Sequence, residues 1–312
     1  MHSPEDVVEH RVLSGGAELS VLELPAEDSQ AIHKPPLIMV HGLRDSAWSL
    51  LPVALQLTDN RRVLLPELRG HGRSESSDTY SIFQLITDLV EVIESLHLDT
   101  FTLFGHSLGG HIATKFAAIF PNLVTGLIII EGLGPPDASA YISVSKATRE
   151  RLEMQTLQSM LQTRLRHRAK SVKIIASIEA GAQRLQRNNP RLSSKQALRP
   201  TQGGFAWAFD PRANSVFVGA TRNNDAKFWR NVNAPTCIVS GALSYEYWTT
   251  QMGHPAENEP TGKFGPGEIE ARVGLFADAE HHWLDGSGHM VHYDQPNELA
   301  QLCLSFLSRQ GL

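Results

Sequence analysis

A serine between two glycines is the part of this sequence best suited to chemistry. Residues 105–109 follow the pattern G-x-S-x-G, with Ser107 at its centre. Residues 100–104 have the composition of a strand, and residues 111–120 have helical spacing. At a sharp strand-to-helix turn, small flanking residues hold the serine in a strained conformation and lift its hydroxyl clear of the sheet. The sequence therefore predicts Ser107 as a nucleophile.

A serine hydroxyl needs a base to remove its proton and an acid to orient that base. His289 follows the last predicted strand and the small residues 286–288, which leave room for a side chain to reach over the edge of a sheet. His289 is the predicted base. His281, His282 and His292 are interpreted as structural or packing residues.

The predicted acid is Glu131, which follows three isoleucines at the end of a buried strand. A carboxylate at that position is costly unless it has a partner, and its strand should lie beside the strand that carries Ser107. The alternative acids are Glu246 and Asp285. A structural role for Glu131, as an acceptor for nearby backbone amides, also stays open.

An oxyanion needs two backbone N–H donors. The predicted donors are Leu108, at a helix N-terminus, and Leu43, after His41 and Gly42. The candidate substrate contacts are Gly42, Arg44, Trp48, His106, Trp207 and Arg212. Two of these candidates have a structural alternative. For Trp207, the aromatic residues at 205–209 form a small core of the insert, and for Arg212, the side chain pairs with Asp210.

The elements that must position these residues alternate between strands and helices, which predicts a parallel sheet covered by helices. The predicted strands are 7–13, 18–24, 36–40, 62–65, 100–104, 124–130, 235–239 and 281–284. The predicted helices are 47–57, 81–96, 111–120, 267–276 and 296–307.

A helical insert interrupts this pattern. We expect helices near 143–162 and 172–186, so the predicted division is a core segment 1–134, a helical cap 135–231 and a second core segment 232–312. Residues 137–230 carry 17 Lys and Arg against 6 Asp and Glu, a net charge of +11, which leaves −16 for the rest of a chain whose total is −5. The basic insert either docks on an acidic core or presents arginines to an anionic or carbonyl-rich ligand.

Composition excludes several classes of function. The 312 residues are 41% hydrophobic, which suits a sizeable domain with an insert. A net charge of −5 argues against a nucleic-acid partner, and two cysteines argue against a disulfide scaffold or a thiolate metal cluster. No leader or membrane-length apolar stretch is recognisable, so we expect a cytoplasmic protein without a membrane partner.

Four motifs occur in an order that resembles the α/β-hydrolase superfamily, in its cap-bearing branch. They are residues 41–42, 67–74, 105–110 and 288–290. The resemblance covers 36–134 and 235–309, and it implies an eight-stranded, mostly parallel sheet, a Ser-acid-His triad and neither a cofactor nor a metal.

The family commonly carries its acid after the seventh strand, where this chain has Ser244. An acid after strand six is a minority variant that some lactone hydrolases and some dehalogenases share. Dehalogenases and epoxide hydrolases of this fold need an aspartate nucleophile, which Ser107 argues against.

The sequence therefore predicts a serine hydrolase that acts on a carboxylic ester or lactone of a small to medium substrate. Alternatives are a carbon–carbon bond hydrolase or an acyltransferase with the same triad and, less favoured, a small-molecule receptor without turnover. The sequence does not indicate an oligomeric state.

Overall fold

The structure is a computed structural model. It describes residues 6–26, 34–136, 204–217, 222–252 and 262–312, together with part of 150–201. Ten strands are present in these ranges: β1 (Val8–Ser14), β2 (Ala17–Leu24), β3 (Leu37–Val40), β4 (Val63–Pro66), β5 (Phe101–His106), β6 (Val124–Ile130), β7 (Leu198–Thr201), β8 (Gly204–Trp207), β9 (Thr236–Gly241) and β10 (Ala279–Leu284).

Eight of these strands form one sheet in the order β1-β2-β4-β3-β5-β6-β9-β10. The pairs β1–β2 and β2–β4 are antiparallel, and every other neighbouring pair is parallel. The predicted eight-stranded, mostly parallel sheet is confirmed. Because its central strands are buried on both faces, they appear in the sequence as continuous apolar runs.

Helices cover both faces of the sheet. They are α1 (Ala47–Ala54), α2 (Ile82–Ser95), α3 (Leu108–Ile119), α4 (Arg222–Trp229), α5 (Tyr245–Met252), α6 (Glu268–Val273), α7 (Val291–Asp294) and α8 (Pro296–Arg309). Leu37 and Met39 of β3 pack in the core formed with α1 and α8, whereas Ile38 and Val40 pack in the core formed with α2 and α3. This alternation follows from the two-residue period of a strand.

Several details differ from the sequence prediction, among them β7, β8 and α4, which were not predicted. Helix α3 begins at Leu108, directly after the nucleophile candidate, and not at residue 111. Helix α5 was not predicted, because its residues 245–252 show no apolar face of helical period. Strand β10 begins two residues earlier than expected.

The insert between β6 and β9 is described in part. Residues 150–151, 154–155, 157–158, 161–162 and 165 are helical, as are 179–181 and 183. Residues 175–177, which the prediction near 172–186 includes, are not helical, and the other residues of both predicted helices lie outside the described part of the chain. Strands β7 and β8 form a separate hairpin. The division of the chain into core and cap stays a prediction. In the described parts of the chain, no helix has the length and apolar character needed to cross a membrane.

Polar contacts fix the insert to the core. Lys115 of α3 places its Nζ 2.5 Å from Asp225 Oδ1 of α4. At the other end, the Arg272 guanidinium donates to the carbonyl oxygens of residues 133–135. The segment that follows β8 is tied to the loop after β4, where the Asp210 amide donates to the Gly70 carbonyl and the Gly72 amide donates to the Ala208 carbonyl. The insert therefore meets the carboxyl edge of the sheet at a defined place.

Candidate active site

Ser107 lies in a strained turn between β5 and α3. Its φ is +51° and its ψ is −113°, outside the regions that L-residues usually adopt. The turn leaves no room for side chains beside the serine, because a Cβ on Gly105 would lie 2.3 Å from the Gly109 carbonyl oxygen. A Cβ on Gly109 would lie 2.1 Å from the Val40 carbonyl oxygen. The two glycines therefore allow the approach of strand and helix that places the serine at the edge of the sheet.

Three side chains from separate strand ends form one hydrogen-bonded chain. Ser107 Oγ lies 3.0 Å from His289 Nε2, and His289 Nδ1 lies 3.0 Å from Glu131 Oε2. These residues follow β5, β10 and β6 respectively, and all three strands end at the same edge. In this geometry His289 can take the proton of the serine hydroxyl while Glu131 holds the imidazole in the required tautomer.

Glu131 is held by the loop that follows β9. Its Oε1 accepts from the Gly241 amide at 2.7 Å, and its Oε2 accepts from the Ser244 hydroxyl at 2.5 Å. Glu131 has a φ of +52°, and its own amide donates to the Val239 carbonyl at 2.9 Å. A buried carboxylate that accepts this many bonds is compensated for its lost hydration. Glu131 therefore has both roles considered from the sequence: it accepts from a backbone amide and it contacts His289.

The two alternative acids occupy different positions. Glu246 lies in the first turn of α5 with an exposed side chain, and Asp285 is exposed after β10. Among the described residues, the carboxylate bonded to His289 Nδ1 is that of Glu131.

Two aromatic side chains of α5 contact His289. The Tyr247 ring stacks on the imidazole with centroids 4.0 Å apart and an interplanar angle of 4°, and the Trp248 ring meets it edge-on at 5.2 Å. Burial raises the pKa of the Tyr247 phenol, while the positive charge of Arg44 acts in the opposite direction. Sequence reasoning missed both residues, and the signal that could have found them is their place just after Ser244, where the family commonly has its acid.

His106 and Gly42 lie behind the reacting groups. His106 Nε2 donates to the His289 carbonyl oxygen at 2.9 Å, and its ring is 1% exposed. A Cβ on Gly42 would lie 2.7 Å from His106 Nδ1, so the loop packs directly on this ring. Burial, together with the charges of His292 and His289, holds the pKa of His106 well below its ordinary value. In this structure His106 supports the backbone of His289 and does not line an open surface.

The loop that carries Leu43 is anchored by two neutral imidazoles. His41 Nδ1 donates to the Gly42 carbonyl and its Nε2 accepts from the Leu68 amide, while His71 Nε2 accepts from the Arg44 amide at 3.1 Å. Burial lowers the pKa of His41, and it lowers that of His71 to about 3. Leu108 is the first residue of α3, where backbone N–H groups have no partner within the helix. Leu43 thus follows β3, and Leu108 comes directly after Ser107 at the end of the neighbouring strand β5.

The remaining candidate substrate contacts are dispersed. Arg212 bonds to both carboxylate oxygens of Asp210 and to Asp78, so the alternative of an Asp210 pairing is what the structure shows. Trp48 is half-buried, with the Arg73 guanidinium 5.9 Å from its ring. Arg44 is exposed beside the Leu43 amide. The backbone of Trp207 ends β8, and its side chain lies outside the described part of the chain.

A second carboxylate–imidazole pair lies next to the first. Asp45 Oδ2 is 3.1 Å from His292 Nε2, and the carboxylate also accepts from Ser49 and Tyr293. Burial acts to raise the pKa of Asp45, but the hydrogen bond and charge of His292 outweigh it and hold that pKa below its ordinary value. Asp45, His106 and His292 place donor atoms within 4.8 Å of one another, a donor set that a divalent cation could use. Asp45 is already satisfied by protein donors.

The fold and this geometry define a class of protein: an α/β hydrolase with a serine at the nucleophile turn. A sequence profile described as the alpha/beta hydrolase family matches residues 37–302. The chain belongs to that family.

Individual relatives are distant. The chain is 24% identical over 195 residues to a serine hydrolase-like protein of Danio rerio, covering 58% of this chain and 57% of that protein, so it spans little more than half of that relative. It is 24% identical to an sn-1-specific diacylglycerol lipase of the same organism, over 87% of this chain and 78% of the lipase. It is 26% identical to a 2-(acetamidomethylene)succinate hydrolase of Mesorhizobium japonicum, over 67% of this chain and 71% of that enzyme.

A solved structure shares the fold. The thioesterase domain from a curacin biosynthetic pathway superimposes with a TM-score of 0.72 at 23% identity, covering 96% of this chain and 99% of the domain. At this identity the likeness concerns the fold alone.

Proposed function

We propose that this chain is a serine hydrolase that cleaves a carboxylic ester or lactone of a small to medium substrate. The observation that carries the proposal is the continuous chain from Ser107 Oγ through His289 to Glu131, with both links at 3.0 Å. Acyl transfer through a serine requires a nucleophile, a base and an acid within hydrogen-bond reach of one another.

The reaction begins when Ser107 Oγ attacks the substrate carbonyl and His289 Nε2 takes the hydroxyl proton. The negative charge on the carbonyl oxygen is stabilised by the amides of Leu43 and Leu108. Glu131 stabilises the resulting imidazolium. His289 then gives its proton to the leaving alkoxide, and an acyl group remains on Ser107.

Water completes the cycle. His289 removes a proton from a water molecule, which attacks the acyl-enzyme and releases the acid. The Tyr247 ring covers one face of the imidazole and restricts its rotation. These contacts keep His289 directed at Ser107 in both half-reactions.

The name of one relative supports cleavage of an ester in general terms, since that protein is an sn-1-specific diacylglycerol lipase. A lactone is included because the acid follows the sixth strand of the main sheet, the arrangement that the resemblance associates with some lactone hydrolases. A small-molecule substrate, the absence of nucleic-acid and membrane partners and a cytoplasmic location remain predictions from sequence.

The alternative is the same triad acting on another bond or acceptor, as a carbon–carbon bond hydrolase or an acyltransferase. The likeness to a hydrolase of a substituted succinate favours keeping this alternative. Product analysis with a competing alcohol separates acyl transfer from hydrolysis, because an acyltransferase yields a new ester whereas a hydrolase yields the free acid.

The test is hydrolysis of 4-nitrophenyl esters from acetyl to decanoyl by the wild type and by Ser107→Ala. We expect activity in the wild type, loss in Ser107→Ala and no change in Ser308→Ala, whose serine is exposed on α8. Labelling by a fluorophosphonate should follow the same pattern. Ester hydrolysis that persists in Ser107→Ala would overturn the proposal.

A further inference from the structure

Arg44 occupies a backbone conformation that its residue type does not favour. It follows Leu43 on the loop after β3 and has a φ of +65°. A glycine would adopt this φ without the roughly 1 kcal/mol that an L-residue loses there. The backbone is held in place by the bond from the Arg44 amide to His71 Nε2, at 3.1 Å. The backbone conformation therefore does not favour an arginine at this position.

The side chain of Arg44 extends toward the insert. Its Nε donates to Asn214 Oδ1 at 2.6 Å, in the turn formed by Pro211–Ser215. Asn214 is neutral, so this bond orients the guanidinium without neutralising it. Arg44 thus lies where the insert meets the carboxyl edge of the sheet.

Neighbouring arginines are arranged differently. Arg69 pairs with Asp88 at 2.6 Å, Arg73 pairs with Glu9 at 2.5 Å and Arg212 pairs with Asp210 at 2.7 Å. Within the described residues, the hydrogen-bond partner of the Arg44 side chain is an amide and not a carboxylate. Its charge is therefore available to a ligand.

Arg44 also lies close to the reacting groups. It follows Leu43, the residue whose amide would bind the oxyanion. Gly42, two residues before Arg44, lies beside the nucleophile turn, since a Cβ on Gly42 would lie 3.4 Å from Ser107 Cβ. The loop that carries Arg44 therefore borders the site, on the side of Asn214.

We propose that Arg44 binds a carboxylate carried by the substrate, so that the preferred substrates are esters or lactones with an anionic group. This inference rests on the proposed function. A guanidinium offers paired N–H donors that match a carboxylate, and these bonds are stronger than those between neutral groups.

The test compares matched ester pairs. Mono-4-nitrophenyl glutarate, adipate and pimelate are each paired with the neutral 4-nitrophenyl ester of the same chain length, and spontaneous hydrolysis is subtracted. The enzymes are the wild type, Arg44→Gln, Arg44→Lys and Arg309→Gln. Arg309 is an exposed arginine paired with Glu280 at the far edge of the sheet, and it controls for the loss of one positive charge.

We expect the wild type to prefer at least one anionic ester over its neutral partner. Arg44→Gln should lower kcat/KM for that ester by about tenfold to a hundredfold, the range of a hydrogen bond to a charged group, and leave the neutral ester within about twofold. Arg44→Lys should retain part of the preference, because it keeps the charge but loses the paired donors. Arg309→Gln should resemble the wild type.

Equal changes for anionic and neutral esters, or no change for any pair, would overturn the role of Arg44. Failure of the proposed function is distinct from this result, since it would appear as neutral-ester hydrolysis that survives Ser107→Ala.

Discussion

Two buried carboxylate–imidazole pairs lie side by side in this chain. Glu131 contacts His289 at 3.0 Å, and Asp45 contacts His292 at 3.1 Å. Both carboxylates accept further hydrogen bonds, and both pairs are almost completely shielded from solvent. They differ in the second nitrogen of each imidazole.

His289 Nε2 faces the hydroxyl of Ser107, whereas His292 Nδ1 is buried without a hydrogen-bond partner among the described residues. The His292 ring packs 4.4 Å from His106, whose Nε2 supports the carbonyl of His289. A carboxylate–imidazole pair is thus not sufficient for base catalysis. The nitrogen that does not contact the carboxylate must also lie within hydrogen-bond reach of the group whose proton it removes. We infer that the first pair acts in the reaction and that the second joins the loop after β3 to the loop that carries His289.

Replacement of the two histidines should give the largest contrast. His289→Gln should lower kcat for ester hydrolysis by roughly 10⁴- to 10⁶-fold, because the serine loses its base. His292→Gln should keep kcat within about tenfold and lower the melting temperature. Steady-state kinetics and thermal unfolding measure both effects. Equal losses of kcat in the two variants would remove the distinction between the pairs.

Replacement of the two carboxylates should give a smaller contrast in rate. Glu131→Gln keeps the shape but removes the charge that stabilises the imidazolium, so we expect kcat to fall by roughly 10³- to 10⁴-fold. Asp45→Asn should leave most of kcat and lower the free energy of unfolding by about 3 kcal/mol, because it breaks a buried pair. Urea unfolding and kinetics of both variants test this. A rate loss in Asp45→Asn as large as that in Glu131→Gln would contradict it.

Another buried imidazole, that of His111, lies farther from a carboxylate than His289 and His292 do. Its Nδ1 is 4.0 Å from Asp225 Oδ2, and Asp225 is bound by Lys115. Burial, with the charge of Lys115, lowers the pKa of His111 to about 4 from 6.5. Between these values the unfolded chain binds more protons than the folded chain at this site, so stability falls as the pH falls from about 6.5 to about 4.

His111→Gln should therefore flatten the pH dependence of the unfolding free energy by about 3 kcal/mol between pH 7 and pH 4, which is the shift of His111 converted at about 1.4 kcal/mol per pKa unit. His97→Asn, at an exposed position, serves as the control. If the unfolding free energy of His111→Gln keeps the pH dependence of the wild type, the pKa of His111 is not lowered in the folded chain.

The smallest effect should come from the hydroxyl that supports Glu131. Ser244→Ala removes one of the donors to the carboxylate and leaves the bonds from Gly241 and His289, so we expect kcat to fall about tenfold. The exposed Ser308→Ala is the matched control, and kcat at saturating substrate is the measurement. A loss as large as that of Glu131→Gln would mean that Ser244 does more than hold the acid.

Much of the fold was accessible from sequence because its signals are local. The apolar runs predicted the central strands, and the glycine pattern predicted the turn at Ser107 before α3. Helix α5 and the contacts of Tyr247 and Trp248 with His289 were missed, because the place of residues 245–252 after Ser244 indicates a position near the site but not which ring they meet. Asp45 and His292 are 247 positions apart in the sequence, so the residues around one of them do not indicate that it pairs with the other.

The family, the alternation of strands and helices and the residue at the nucleophile turn are accessible from the amino-acid sequence, since each depends on spacing within a few residues. The carboxylate that meets His289 depends on the fold, since Glu131 lies 158 positions before it. The strand order explains this contact. Because β6 lies beside β9, Glu131 reaches the amide of Gly241 and the hydroxyl of Ser244, and because β10 follows β9 in the sheet, His289 returns to the same edge.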